Sequence, residues 1–164
     1  MERNALAISI AAFMLFLVGV FGTVVLPFFD DDMTTPTETA EGRNYAPNSP
    51  EAKGREIYVR EGCYTCHTQY VREVRADLNQ SIGRPVVPGD YYYDAPELMN
   101  SNRTGPDLMW VGDRRTKEWN IEHLKDPQKV VEGSIMPKYD YLSDQELEDL
   151  ATYLGSLKEK PDQK

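Results

Sequence analysis

Between Ala5 and Phe29 the chain runs for twenty-five residues, ALAISIAAFMLFLVGVFGTVVLPFF, without a charged side chain. Wound as a helix, this run reaches about 37 Å, more than the ~30 Å hydrocarbon core of a bilayer requires. A cleaved signal peptide is the competing reading. It calls for a basic start, a shorter apolar run and a small-x-small cleavage site. Here only MERN precedes the run, and bulky Leu26, Pro27, Phe28 and Phe29 close it. Residues 1–29 are therefore expected to stay as a transmembrane anchor. Pro27 falls near its end, where a lost backbone hydrogen bond costs least. Arg3 on one side and Asp30, Asp31 and Asp32 on the other favour a cytoplasmic N-terminus, although acidic residues carry little weight in that rule. The rest of the chain is then expected on the outer side of the cell inner membrane.

The remaining length suits one domain with appendages. The formal charge is −9 over 164 residues, which argues against a broad nucleic-acid-binding surface. The acidity gathers at residues 30–50 and 143–164, while residues 51–142 are nearly neutral. Acidic ends serve solubility, or attract a cationic partner. Residues 30–48 are polar and rich in Thr, Pro and Asp, and read as a linker with no core of its own. Residues 49–158 read as the folded domain and 159–164 as a tail.

Within that domain, Ser49 and Pro50 mark a helix start, and the helix is expected to stop near Gly62. Gly54 inside it needs a reason, since glycine there costs about 1 kcal/mol against alanine; close approach of another helix is one. A second helix is expected after Thr116, ending at Pro127. A third opens with the capping box Ser143–Glu146 and carries Leu147, Leu150, Ala151, Leu154 and Leu157 as an apolar stripe. Leu78 to Asn102, with three prolines and a triple tyrosine, reads as an ordered excursion. Nothing shows sustained period-two alternation, so the fold class is all-α. A small helical domain with long connections struggles to fill a core alone, and a large apolar cofactor would fill it.

The only two cysteines stand in EGCYTCHTQY, as Cys63 and Cys66 with His67 following. A redox dithiol wants a βαβ surround, which is not visible. Zinc wants four ligands, and only His67 and His123 remain to add. Cys-x-x-Cys-His read as a haem c attachment uses all three residues: two thioether bonds, and a histidine held under the iron. The sixth ligand is then a distant Met or His. Met136, in a loop before the last helix and followed by Pro137, is preferred over Met33, Met99, Met109 and His123. His123 instead reads as a surface or propionate-side histidine near Trp119. A proximal histidine needs its other ring nitrogen bonded, and the Pro106 carbonyl in RTGPDL can accept that bond, with Leu108 covering the haem.

These residues resemble class I cytochromes c. In that family the first and last helices cross at a glycine–aromatic contact, and Gly54, Tyr58 and Tyr153 fall at the matching places. The strings CHTQ-x-x-R, YD-x-P, RTGPDL, W-x-x-x-HLKDP and S-x-MP narrow the likeness. Together they resemble the mono-haem subunit of cbb3-type cytochrome c oxidases, the FixO/CcoO family, over about residues 1–142. The resemblance implies a single-pass subunit with a periplasmic haem domain. That subunit takes electrons from a donor cytochrome, often a di-haem partner, and passes them to the catalytic haem-copper subunit. It further implies Cys63 and Cys66 as attachment points and His67 and Met136 as iron ligands. For Arg72 and Arg103 it implies propionate neutralisation or contact with the catalytic subunit, beside their plainer reading as surface arginines. A six-coordinate iron leaves no open position, so no small-molecule substrate is expected. The alternatives are the cytochrome subunit of a nitric oxide reductase, a free membrane-anchored shuttle, and a zinc or dithiol protein.

Overall fold

The computed structural model describes residues 2–78 and 80–160 and contains no strand among them. The first helix, α1, spans Glu2–Val20 and runs on through a π turn at Phe21–Val25 and a 3-10 turn at Leu26–Phe29. Among the described residues, Asn4–Phe29 alone is long and apolar enough to cross a membrane. Leu15, Phe16 and Phe28 are exposed along it, as lipid-facing side chains are. Asp30 then caps a single turn, α2 (Asp31–Thr34), by accepting a hydrogen bond from Asp32 N at 3.0 Å.

The segment expected to be a coreless linker is folded onto the domain. Thr37 caps α3 (Glu38–Gly42), and Thr39, Ala40 and Arg43 are buried. Thr37 N donates to Gly89 O at 3.3 Å, and its hydroxyl donates to Asp90 Oδ1 at 2.8 Å. Thr39 Oγ1 donates to the Glu159 carbonyl at 2.9 Å, which ties the start of the expected tail to the same place. These are hydrogen bonds and one guanidinium stack, so polar composition did not betray them.

The domain is built on two helices. Ser49 accepts a hydrogen bond from Ala52 N at 3.2 Å and starts α4 (Pro50–Arg60). The last helix, α8 (Asp144–Ser156), carries the expected reciprocal capping box of Ser143 and Glu146. Between them come α5 (Arg75–Leu78), α6 (Lys117–Lys125), capped by Thr116, and α7 (Pro127–Val130). Proline at 127 therefore both follows the end of α6 and opens the short α7, as a residue with no N–H to satisfy can.

The helices α4 and α8 cross at Gly54. A Cβ there would stand 2.1 Å from Asp149 O and 2.7 Å from Tyr153 Cβ. Only a residue without a side chain lets the backbones approach so closely. Tyr58 and Tyr153 lie tilted at 5.5 Å beside the crossing. Around them Ile57, Leu124, Leu142, Leu147, Leu150, Leu154 and Leu157 form the main core, and Cys63 belongs to it.

The excursion after α5 has its own small core of Val71, Ile82, Tyr91, Met109 and Trp110. Trp110 is flanked by two guanidiniums, Arg43 at 5.1 Å and Arg84 at 4.7 Å from its ring. Its indole N–H donates to Arg84 O at 2.8 Å. Arg84 in turn grips Asp90 with both terminal nitrogens at 2.8 and 2.7 Å.

Two expectations follow. Gly54→Ala will lower the melting temperature of the detergent-solubilised chain, although alanine is the better helix former by about 1 kcal/mol, because overpacking typically costs ~1–3 kcal/mol. An unchanged melting temperature contradicts the tight crossing. The second concerns Glu146, whose carboxyl the Ser143 backbone N–H, Arg60 and the Ser143 hydroxyl pull down to about 2. A depressed carboxyl contributes stability above its unfolded value of about 4.3, and that contribution is lost as pH falls toward the folded value. The stability advantage of the natural chain over Glu146→Ala will therefore shrink between about pH 5 and about pH 2, read by thermal melts at each pH. An advantage independent of pH in that window overturns the assignment.

Candidate haem site

Where α4 ends, the chain turns at once. Gly62 adopts the left-handed conformation at φ 69°, and Cys63–Thr65 form a 3-10 turn. His67 N closes it by donating to Cys63 O at 2.9 Å. Cys63 is buried in the main core and Cys66 is exposed, and both thiols are free. Burial pushes the Cys63 thiol up to about 12. A redox dithiol needs the opposite, a depressed thiol that ionises readily. Among the described residues no three His, Cys, Asp or Glu side chains gather as a metal site, so zinc lacks its remaining ligands.

The turn leads into an irregular segment, residues 66–70, which is bonded to residues 105–109. Gly105 N donates to Cys66 O at 2.9 Å, and Leu108 N donates to Thr68 O at 2.8 Å. Between these bonds His67 Nδ1 meets Pro106 O at 2.8 Å. A carbonyl can only accept, so Nδ1 carries the hydrogen and Nε2 keeps its lone pair. Burial lowers the His67 pKa, which keeps the ring neutral near pH 7. The ring rests against bare backbone: a Cβ on Gly105 would stand 2.2 Å from His67 Cε1. Tyr58 Oη also donates to His67 O at 3.2 Å, so α4 holds the segment from its other side.

The other proposed ligand lies on the same apolar cluster. Met136, Leu108, Tyr64 and Tyr139 are half-buried and pack against the core that contains Cys63. Met109 is fully buried in the second cluster, with Arg43 Nη1 3.3 Å from its sulfur. Met33 and Met99 are exposed. His123 stacks on Trp119 at 4.6 Å and 15°. Cys63 and the half-buried Met136 thioether thus share one apolar cluster, and Cys66 and the neutral His67 imidazole follow Cys63 on the same tight turn. That donor set fits a large apolar macrocycle carrying iron.

Arg72 and Arg103 are both engaged with Asp77, whose side chain is fully buried. Arg72 donates to it from Nε at 3.0 Å and Nη2 at 3.1 Å. Arg103 donates from Nη1 at 2.7 Å and Nη2 at 3.0 Å, and from Nε to Thr68 Oγ1 at 2.8 Å. Beside them Asp107 accepts from Thr68 Oγ1, Tyr70 N and Met109 N. Asp77 and Asp107 were missed in the sequence. Asp107 stands in RTGPDL next to Pro106, and its exposure of only 1% is the feature that marks it, which no linear pattern carries.

A comparison with curated proteins finds no match. The family model described as cytochrome c oxidase, mono-haem subunit/FixO, matches residues 1–158, which is nearly the whole chain. The helical fold, the apolar N-terminal helix and the cysteine–histidine turn all sit inside that match, and the chain belongs to the FixO family of mono-haem cytochrome c oxidase subunits.

Proposed function

We propose that this subunit relays single electrons from a donor cytochrome to the catalytic haem-copper subunit of a cbb3-type oxidase. Membership of the family already makes it an electron-transfer subunit of such an oxidase. The finer reading is that one haem c is attached through Cys63 and Cys66, with His67 and Met136 as iron ligands. It rests above all on the 2.8 Å bond from His67 Nδ1 to Pro106 O. That bond fixes the tautomer, orients the ring and leaves Nε2 as the donor to a metal. When bound, the haem supplies a one-electron ferric–ferrous couple.

The residues of the chain do the rest. The turn from Gly62 to His67 carries both cysteines and the histidine within one short stretch of backbone. Leu108 and Tyr139 border the same apolar region and exclude water from it. Low polarity around an iron site favours the less charged ferrous form, and a thioether ligand raises the potential further. Both suit delivery toward an oxygen-reducing centre. The basic Arg3 before the span supports an N-terminus in the cytoplasm, with the haem domain on the outer face of the cytoplasmic membrane.

The polypeptide, made in a host able to mature c-type cytochromes and then denatured, will weigh one haem more than its amino acids. Replacing Cys63 and Cys66 by alanine will abolish that increment. Met136→His will keep a low-spin spectrum and lower the midpoint potential by more than about 100 mV, within the ~0.8 V range that axial ligands control. A natural chain without the mass increment removes the haem assignment. An unmoved potential removes Met136 alone.

A further inference from the structure

The four charged side chains Arg72, Asp77, Arg103 and Asp107 form one connected group behind His67. Asp77 accepts from Arg72 N at 2.8 Å as well as from the Arg72 guanidinium, and Arg72 and Arg103 hold its carboxyl far below the usual carboxylate range. Arg103 reaches from Asp77 to Asp107, with Nη2 3.3 Å from Asp107 Oδ2. Asp77 and Asp107 have side chains with no exposure, and the Arg103 side chain is 15% exposed. Two cations and two anions in sequence leave the group neutral overall.

Its position is as notable as its balance. Asp107 ties together the two segments that carry the His67–Pro106 bond. Its Oδ2 accepts from Tyr70 N at 2.9 Å and from Thr68 Oγ1, on the histidine side. Its Oδ1 accepts from Met109 N at 2.8 Å, on the proline side. Arg103 adds a bond to Tyr70 O at 2.8 Å. Such a buried network is more than a surface pair would need, and every carboxylate oxygen in it has at least one donor.

We propose that Asp107 and Arg103, backed by Asp77 and Arg72, are positioning residues for the proximal histidine and set the reduction potential through their buried charges. The proposal rests on the reading of His67 as an iron ligand. Asp107 fixes the register of the two segments, and so the ring's hydrogen bond. Its negative charge stabilises the more positive, oxidised site, and the Arg103 charge offsets it. Removing either charge leaves the partner uncompensated in a place of low dielectric, so the two removals act in opposite directions. At an effective dielectric of about 20, a unit charge ~10 Å away changes an equilibrium on the order of tenfold.

The test uses the full-length chain with haem attached, by redox titration followed in the visible spectrum. Asp107→Asn is expected to raise the midpoint potential, and Arg103→Gln to lower it, each by about tenfold in the reduction equilibrium, or ~59 mV for one electron. Arg103→Lys keeps the charge and loses the fork, so it will return most of the shift seen with glutamine. Arg72→Gln, at the half-exposed end of the group, will lower the potential by less than Arg103→Gln. Shifts of one sign in all variants, or none, overturn the proposal and leave the haem assignment standing. If the two buried variants fail to mature, Arg72→Gln decides: a lowered potential supports the proposal, and an unchanged one overturns it. A natural chain that carries no haem instead overturns the functional reading beneath it.

Discussion

The crossing of α4 and α8 at Gly54 is the constraint on which the rest depends. With no side chain at that position, the backbone of one helix comes within contact of Asp149 and Tyr153 on the other. This fixes where α4 ends, and the cysteine–histidine turn begins only a few residues later, at Gly62. The apolar stripe of α8 then has one surface to meet, and Ile57, Tyr58 and Cys63 lie on it. A bulkier residue at the crossing would move the whole turn and its Cys63, Cys66 and His67 side chains together. Close packing transmits such a shift because protein interiors have little free volume to absorb it.

Around that crossing the chain uses two different devices to hold a ring. From below, the Pro106 carbonyl takes the Nδ1 hydrogen and glycine at 105 clears the space for the imidazole. From behind, Thr68, Tyr70 and Met109 are drawn together on one carboxylate. The first device chooses a tautomer, and the second keeps the geometry in which that choice matters. An ordinary buried ion pair is weak evidence of stability, because desolvation offsets its attraction. Here the carboxylates also satisfy backbone N–H groups of segments that belong to no helix, which have no partner of their own.

Much of the architecture was legible because it follows local rules. The caps at Ser49, Thr116 and Ser143 were read from single hydroxyls before helical runs, and each bonds as those rules require. The stripe from Leu147 to Leu157 was read from its spacing, and all five residues are buried. Gly54 was legible because a glycine in a helix asks for a neighbour. The Pro106 carbonyl was legible because a histidine that binds metal needs a second bond. What escaped notice was long-range and polar. Arg72 and Arg103 looked free to meet a propionate or a partner, and both are engaged with Asp77, which sits five residues from one and twenty-six from the other. Thr39, Ala40 and Arg43 looked like linker and are buried, because Trp110 meets Arg43 from 67 residues away and Glu159 meets Thr39 from 120. A hydrogen bond between distant residues leaves no periodic trace in either strand of sequence.

The docking of α2 and α3 changes what kind of mount the apolar helix provides. Only Asp30 separates Phe29 from α2, and by Thr37 the chain is already bonded to Gly89 and Asp90. The domain therefore stands on a mast rather than swinging on a rope. Asn4–Phe29 holds 26 residues, about 39 Å of helix against ~30 Å of hydrocarbon, a mismatch that spanning helices relieve by leaning. With only Asp30 between Phe29 and α2, any lean of the apolar helix would be passed into the pitch of the domain rather than absorbed by a loose connection.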